Sequence, residues 1–356
     1  MHRSLRRLEG VNVSGKRVLV RVDFNVELDE KRDVKERYKV EAAKETVHFL
    51  LSAGAKVGLL THLGRPDGKP DDRFSVRYIA DDAERILGKR IRFIPFVTGE
   101  GVKEGLKSLA SDEVLLLENV RFSPGDESND EAFAKELACP FELFVNDAFS
   151  VCHRDQASVT GVTKFLPSYA GAHLLQEVEH LTLVRERPTL PAVAIIGGAK
   201  IETKLPVIRM FEERYDQVLV GGRVACEAED EHIAFSDRVV LPEDYAPNRF
   251  DIGPKTTERF RAAVLSAKTV VWNGPLGKFE DPAYAEGTRR VLNAILESGA
   301  FSVVGGGETI IALEAAGVMK KISFVSTGGG AMLEFLSGVS LPGLSALSEG
   351  ISGTAS

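Results

Sequence analysis

Ten short apolar runs, separated by stretches with helical spacing, constrain this chain more than any other feature. In the first half they are RVLVRV (17–22), KVGLLT (56–61), RIRFIP (90–95), EVLLLE (113–118) and ELFVND (142–147). In the second half they are AVAIIG (192–197), QVLVGG (217–222), TVVWNG (269–274), FSVVGG (301–306) and ISFVST (322–327). Near-continuous apolar strands suit parallel sheets covered on both faces. The spacing predicts helices over 39–53, 76–87, 129–138, 174–186, 203–214, 255–266, 283–298 and 308–316. Two β/α series predict an α/β fold of two doubly wound, Rossmann-like parallel-sheet domains facing a cleft. A length of 356 residues also suggests about two domains. Pro188 and Pro191 break the chain after the 174–186 helix, so the boundary is expected within 165–190.

Composition narrows the function. At 44% hydrophobic and 27% charged, the chain reads as globular. No apolar run reaches membrane-spanning length, and the basic start lacks the apolar stretch of a secretory signal. Three scattered cysteines, Cys139, Cys152 and Cys226, suit a reducing, cytoplasmic setting. A net charge of −7 argues against a nucleic-acid surface. Most of that negative charge lies after residue 170, while the first half is near neutral.

In open α/β sheets, ligands bind beyond the carboxyl ends of the strands. In the first half those ends read Arg21-Val22-Asp23-Phe24-Asn25, His62-Leu63-Gly64-Arg65, Glu118-Asn119-Val120-Arg121 and Asn146-Asp147, with His153-Arg154 just beyond. Arginines meeting at one sheet edge form a bidentate site for carboxylate and phosphate. Asp23 and Asp147 are candidates to hold them in place. In the second half the ends are Gly197-Gly198-Ala199-Lys200, Gly221-Gly222, Asn273-Gly274-Pro275, Gly305-Gly306-Gly307-Glu308-Thr309 and Thr327-Gly328-Gly329-Gly330. Glycines at helix starts let phosphate approach free backbone N–H groups. Lys200 and Lys204, four apart, share a helix face beside them. No Walker A motif occurs, and no GxGxxG opens the first strand–helix unit. An anion-binding domain facing a nucleotide-type domain predicts phosphoryl transfer across a closing cleft.

Nine motifs stand in the order seen in phosphoglycerate kinases, and the chain resembles that family over nearly its whole length. They are RVDFNV (21–26), HLGRP (62–66), LLLENVRF (115–122), NDAFSVCHRDQAS (146–158), GGAKIETK (197–204), DIGPKT (251–256), VWNGPLGKFE (271–280), GGGET (305–309) and STGGGAMLE (326–334). The resemblance implies transfer between ATP/ADP and 3-phosphoglycerate/1,3-bisphosphoglycerate with Mg²⁺, by a monomer that needs only small-molecule partners. It implies a phosphoglycerate-binding domain over 1–170, completed by 340–356, a linker over 171–188 and a nucleotide-binding domain over 189–339. Arg21, Asp23, Asn25, His62, Arg65, Arg121, His153 and Arg154 would hold phosphoglycerate. Lys200 would stabilise the transferring phosphoryl, with Gly306 and Gly329 along its path. Gly198, Lys204, Gly222, Asn273, Pro275, Glu280, Gly305, Gly307 and Thr309 would serve the nucleotide, and Glu308 the metal.

Four positions depart from the family pattern. The arginine that opens the helix after the first loop is replaced by Lys39, with Arg37 two residues earlier as the other candidate. Thr203 stands where an acid lies between the two lysines. Glu308 replaces an aspartate, moving the carboxylate by one methylene. The stretch after Ala225 lacks a long helical segment found beside the nucleotide base, and carries Glu227, Glu229, Asp230 and Glu231 instead. The alternatives to an active kinase are a divergent homologue with weak or no catalysis that acts as a ligand-binding or interaction protein, or a kinase for a related carboxylate or another nucleotide.

Overall fold

A computed structural model describes residues 4–349. Two compact units emerge. One runs to Gln176 and takes back the segment from Ser340; the other is Glu177–Val339. The change of unit falls inside a single helix, Ala172–Glu186.

The first unit holds a six-stranded sheet: β1 (Arg17–Arg21), β2 (Lys56–Leu60), β3 (Arg90–Ile94), β4 (Glu113–Leu117), β5 (Leu143–Asn146) and β6 (Ser168–Ala170). Its order is β3-β4-β2-β1-β5-β6, and every pairing is parallel. Successive strand residues point to opposite faces. Accordingly Val18, Val20, Leu59 and Leu116 pack in one apolar layer, and Leu19, Leu60, Leu115 and Leu117 in the other. Both faces of the four inner strands are therefore buried, which is why those strands read as near-continuous apolar runs, whereas the edge strand β3 alternates arginine with apolar residues.

The second unit repeats the plan with β7 (Ala192–Ile196), β8 (Gln217–Val220), β9 (Val239–Val240), β10 (Thr269–Asn273), β11 (Phe301–Gly305) and β12 (Phe324–Ser326). The order is β12-β11-β10-β7-β8-β9, again parallel throughout. Val193, Ile195, Leu219, Val270, Trp272 and Val304 fill one layer beneath helices.

All ten expected strands are present. The two additional ones, β6 and β9, are edge strands of three and two residues, too short to show a period. The expected helix over 39–53 is two helices, Arg37–Ala42 and Lys44–Ser52. At the junction Ala43 N–H bonds Val40 O, an i→i−3 bond that tightens the turn. The 76–87 pattern opens with a 3₁₀ turn at Val76–Ile79 before the helix Ala80–Leu87. The 129–138 helix starts at Glu131, because Asp130 caps it by accepting from Phe133 N–H at 2.7 Å. Similarly, Pro282–Tyr284 is a separate 3₁₀ turn before the helix Glu286–Ser298.

The returning C-terminal segment packs on the first unit. Gly343 N–H bonds Cys152 O at 2.9 Å, and Arg6 N–H bonds Leu347 O at 3.0 Å. Among the described residues no helix is long and apolar enough to cross a membrane.

Two candidate anion sites

The strand order places the ends of β4, β2, β1 and β5 side by side, so the loops that follow them converge. Hydrogen bonds stitch these loops together. Phe24 N–H bonds Thr61 Oγ1 at 2.9 Å, and Gly64 N–H bonds Asn25 Oδ1 at 2.9 Å. Asn119 Nδ2 donates to Leu63 O and Phe74 O, while its Oδ1 accepts from Arg121 N–H.

Arg21 is fully buried at the end of β1. Its Nη1 donates to Val22 O at 2.6 Å, and its Nη2 lies 3.0 Å from His62 Nδ1. A guanidinium has no acceptor, so Nδ1 accepts and the neutral imidazole carries its proton on Nε2. His62 is kept neutral by its surroundings: burial holds its pKa well below the usual value, and Arg21, Arg121, Arg154 and Lys39 push the same way. In that state its Nε2–H is available to donate a hydrogen bond, and protonation of the ring is disfavoured.

Arg121 is 3% exposed and donates Nη1 to Gly64 O at 2.8 Å. Its Nε and Nη2 are buried without a hydrogen-bond partner, although Glu127 stands 3.4 Å from Nε. Burial first, then the like charges of Arg154 and Arg21, lower its pKa to about 10. Buried cations that repel one another and keep donors unsatisfied form a site prepared for an anion.

Lys39 joins this cluster. Its side chain is 16% exposed; Nζ donates to Asn25 O at 2.9 Å and lies 2.8 Å from Glu36 Oε1. A cavity of about 420 Å³ opens beside it, lined by Asn25, Glu36, Gly64, Arg73 and Phe74 among others. Arg37 and Arg65 are exposed instead. His153 and Arg154 are half-buried in the loop after β5.

The two aspartates differ, and only Asp147 departs from expectation. Asp23 accepts from Ser150 Oγ at 2.6 Å and from Asn25 N–H, and adds a counter-charge for Arg21. Asp147 does not hold the arginines. It accepts from Leu174 N–H, and burial raises its pKa to about 6. The strongest counter-charge for Arg21 is Asp126, fully buried, which accepts from Ser158 N–H at 2.9 Å. Sequence reasoning missed it; the only signal was an acid shortly after Arg121 in SPGDE.

In the second unit three glycine turns pack backbone against backbone. Gly198 N–H bonds Pro275 O, Gly222 N–H bonds Leu276 O and Val224 N–H bonds Gly198 O. A Cβ on Gly197 would stand 2.1 Å from Pro275 O, and Gly274 has φ +90°, so no larger residue fits either position. These turns wall a cavity of about 220 Å³ lined by Gly198, Ala199, Gly222, Arg223, Arg249, Phe250, Pro275, Gly277, Lys278, Glu280 and Glu308.

Lys204 donates to the buried Asn273 side chain, and burial lowers its pKa to about 8 against the opposing charge of Glu308. Lys200 is exposed at the start of the helix Ile201–Arg214, and Thr203 donates to its carbonyl. Gly307 opens the helix Gly307–Ala315, and Gly306 and Gly329 each immediately precede a helix. The space around Gly307 and Gly329 is open. Two expected nucleotide contacts have structural duties. Thr309 is buried and accepts from Gly274 N–H, and a Cβ on Gly305 would collide with Met332 Sδ. Sequence reasoning overlooked Arg223, Arg249, Phe250 and Lys278, although Lys278 lies within VWNGPLGKFE.

A sequence model described as phosphoglycerate kinase matches residues 8–229 and 226–339. The phosphoglycerate kinase of Rubrobacter xylanophilus is 42% identical, covering 98% of both chains, and that of Coprothermobacter proteolyticus is 39% identical, covering 96% of this chain and 98% of the relative. The crystal structure of phosphoglycerate kinase from Pyrococcus horikoshii superposes with a TM-score of 0.85 at 31% identity, covering 96% and 98%. The first alignment spans 390 positions for a chain of 356, so that relative carries residues this chain lacks. The two matched segments meet at 226–229, where the stretch after Ala225 is short. By matched extent, identity and fold, the chain belongs to the phosphoglycerate kinase family.

Proposed function

We propose that the first unit binds 3-phosphoglycerate at the Arg21–Arg121–Arg154 cluster and that the second binds Mg-ATP at the glycine-walled cavity. The chain is a phosphotransferase that interconverts ATP and 3-phosphoglycerate with ADP and 1,3-bisphosphoglycerate. The observation that carries the ligand assignment is the buried Arg121 Nη2, without a partner amid like charges.

The chemistry fits these residues. An acceptor carboxylate has no proton to lose, so no general base is required. Catalysis reduces to positioning and to neutralising charge on the transferring group. Arg121 and Arg154 hold the acceptor's anionic groups, with His62 Nε2–H as a neutral donor, while the buried Arg21 adds positive charge from beneath and orients His62. Lys39 and Lys200 supply positive charge to the transferring phosphoryl, and Lys204 holds a nucleotide phosphate. Mg²⁺ is commonly held by one or two carboxylates plus substrate phosphates, rather than by a protein cage. Glu308 and Glu280 are the two carboxylates lining the cavity, and Glu308, at the start of a helix, would hold the metal in that mode. When bound with the nucleotide, Mg²⁺ neutralises phosphate charge. A monomer in the cytoplasm completes the assignment.

Calorimetry tests the allocation of ligands. Arg154→Ala should lose 3-phosphoglycerate binding and keep Mg-ADP; Lys204→Gln should do the reverse. The Lys204 ammonium gives way to the neutral amine as pH rises through about 8. Mg-ADP affinity should therefore weaken between pH 7 and 9, by up to about tenfold per unit above that midpoint, and Lys204→Gln should flatten the profile. One substitution abolishing both ligands, or an affinity that climbs with pH, would refute the allocation.

A further inference from the structure

His62 offers a donor to an anion in only one of its two neutral forms. With the proton on Nε2, that nitrogen attracts an anionic oxygen. With the proton on Nδ1, Nε2 presents a lone pair and repels it. The form present is set by the bond the other nitrogen makes, and here Nδ1 lies 3.0 Å from Arg21 Nη2. Among the described residues no protein group accepts from Nε2, so that proton is left for a ligand.

The state of His62 thus depends on what fixes Arg21. A guanidinium is a flat fork, so partners on three of its nitrogens leave it one orientation. Nη1 donates to Val22 O at 2.6 Å, Nη2 meets His62, and Nε reaches Ser158 Oγ at 3.4 Å. Ser158 is fully buried, and its own N–H donates to Asp126 Oδ1 at 2.9 Å. The N–H of Ala157 donates to Asp126 O at 2.9 Å, so the Asp126 carboxylate and the Ser158 hydroxyl keep one register. Asp126 also offsets the burial of the Arg21 charge more than any other group, and Asp23 comes second. Yet Asp126 Oδ2 is buried without a hydrogen-bond partner. An apolar side chain would serve packing alone better than a buried carboxylate with an unpaired oxygen. What this position supplies is negative charge for Arg21.

We propose that Asp126 is a positioning residue for the acceptor site: through Ser158 it holds Arg21, and Arg21 keeps the proton of His62 on Nε2. The inference rests on reading this cluster as the site of 3-phosphoglycerate. Without the Asp126 charge, Asp23 becomes the strongest carboxylate partner of Arg21 and draws the guanidinium off Nδ1. His62 then populates both neutral forms, and the second repels the acceptor.

Long-range ¹H–¹⁵N NMR on the full chain, labelled with ¹⁵N-histidine, reads which ring nitrogen carries the proton. His62→Gln identifies the His62 signals among those of seven histidines. The unmodified protein should show a neutral His62 at pH 7 with the proton on Nε2. Asp126→Asn should bring in the Nδ1–H form and raise KM for 3-phosphoglycerate about tenfold, the loss of one hydrogen bond to an anion. The change in kcat should be smaller, and Mg-ADP affinity should stay within about twofold. Asp126 also lends negative charge to Arg121, so KM alone does not isolate the relay. Ser158→Ala does, because it removes only the hydroxyl link; it should shift the His62 signals the same way. His62 signals unchanged in Ser158→Ala, or in a folded Asp126→Asn, overturn the relay, as does the Nδ1–H form in the unmodified protein. If 3-phosphoglycerate leaves the His62 signals of the unmodified protein unmoved, the reading of this cluster as its site fails too. Signals that move on binding yet ignore Asp126 and Ser158 sink the positioning role alone.

Discussion

Lys39→Ala should lower kcat by about 10²–10³-fold, while Arg37→Ala leaves it within about twofold. The two cations are two residues apart on one helix, and burial separates them. Arg37 is exposed, whereas the Lys39 side chain is 16% exposed and enters the cluster. Its ammonium has three donors. Asn25 O and Glu36 Oε1 take two, and the third remains for a ligand. Glu36 is itself 7% exposed and accepts from Glu27 N–H at 2.9 Å, so it fixes the direction from which Lys39 approaches. A charge positioned in advance costs no reorganisation when the phosphoryl group moves, so its loss should appear in kcat more than in KM for 3-phosphoglycerate. Lys39→Arg should restore part of the rate, because charge is kept and geometry changes. Loss of rate in Arg37→Ala with Lys39→Ala unaffected would reassign the role.

Arg121→Met should lower kcat/KM for 3-phosphoglycerate by about 10²–10³-fold and at the same time raise the melting temperature of the unliganded protein by a few degrees, of order 1 kcal/mol. The opposite signs share one cause. The guanidinium is buried with two nitrogens lacking hydrogen-bond partners, and Arg154 and Arg21 repel it. Methionine keeps the apolar stem and removes the unpaired charge. The carbonyl that loses its donor belongs to half-buried Gly64, where water can replace it. Added 3-phosphoglycerate should then stabilise the unmodified protein more than the variant. Thermal denaturation with and without the ligand reads both effects. A lower melting temperature with undiminished ligand stabilisation would mean that Arg121 is a structural ion-pair partner of Glu127.

The architecture was legible because its strands are buried on both faces and so declare themselves as apolar runs. Where burial is one-sided or the strand is a short edge, as at β6 and β9, no run exists to read. The arginines of the first site were legible because they occupy equivalent strand ends. Their counter-charge was not. Asp126 lies in a short helix, Pro124–Glu127, and only tertiary packing turns it towards Arg21. Asp147 misled for the converse reason: it follows a strand end among cationic motifs, yet its carboxylate serves the start of the helix Ala172–Glu186. Phe250 stayed hidden because its place depends on two non-glycine residues with left-handed φ, which side-chain type does not announce.

The central claim is that this chain, with Lys39, Glu308 and a shortened nucleotide unit, is a working phosphoglycerate kinase. Steady-state ADP formation by the purified protein with saturating Mg-ATP measures it directly. Turnover strictly dependent on 3-phosphoglycerate, at about 1–10³ s⁻¹, is the predicted result. A folded protein that binds 3-phosphoglycerate and Mg-ATP yet forms no ADP would contradict it.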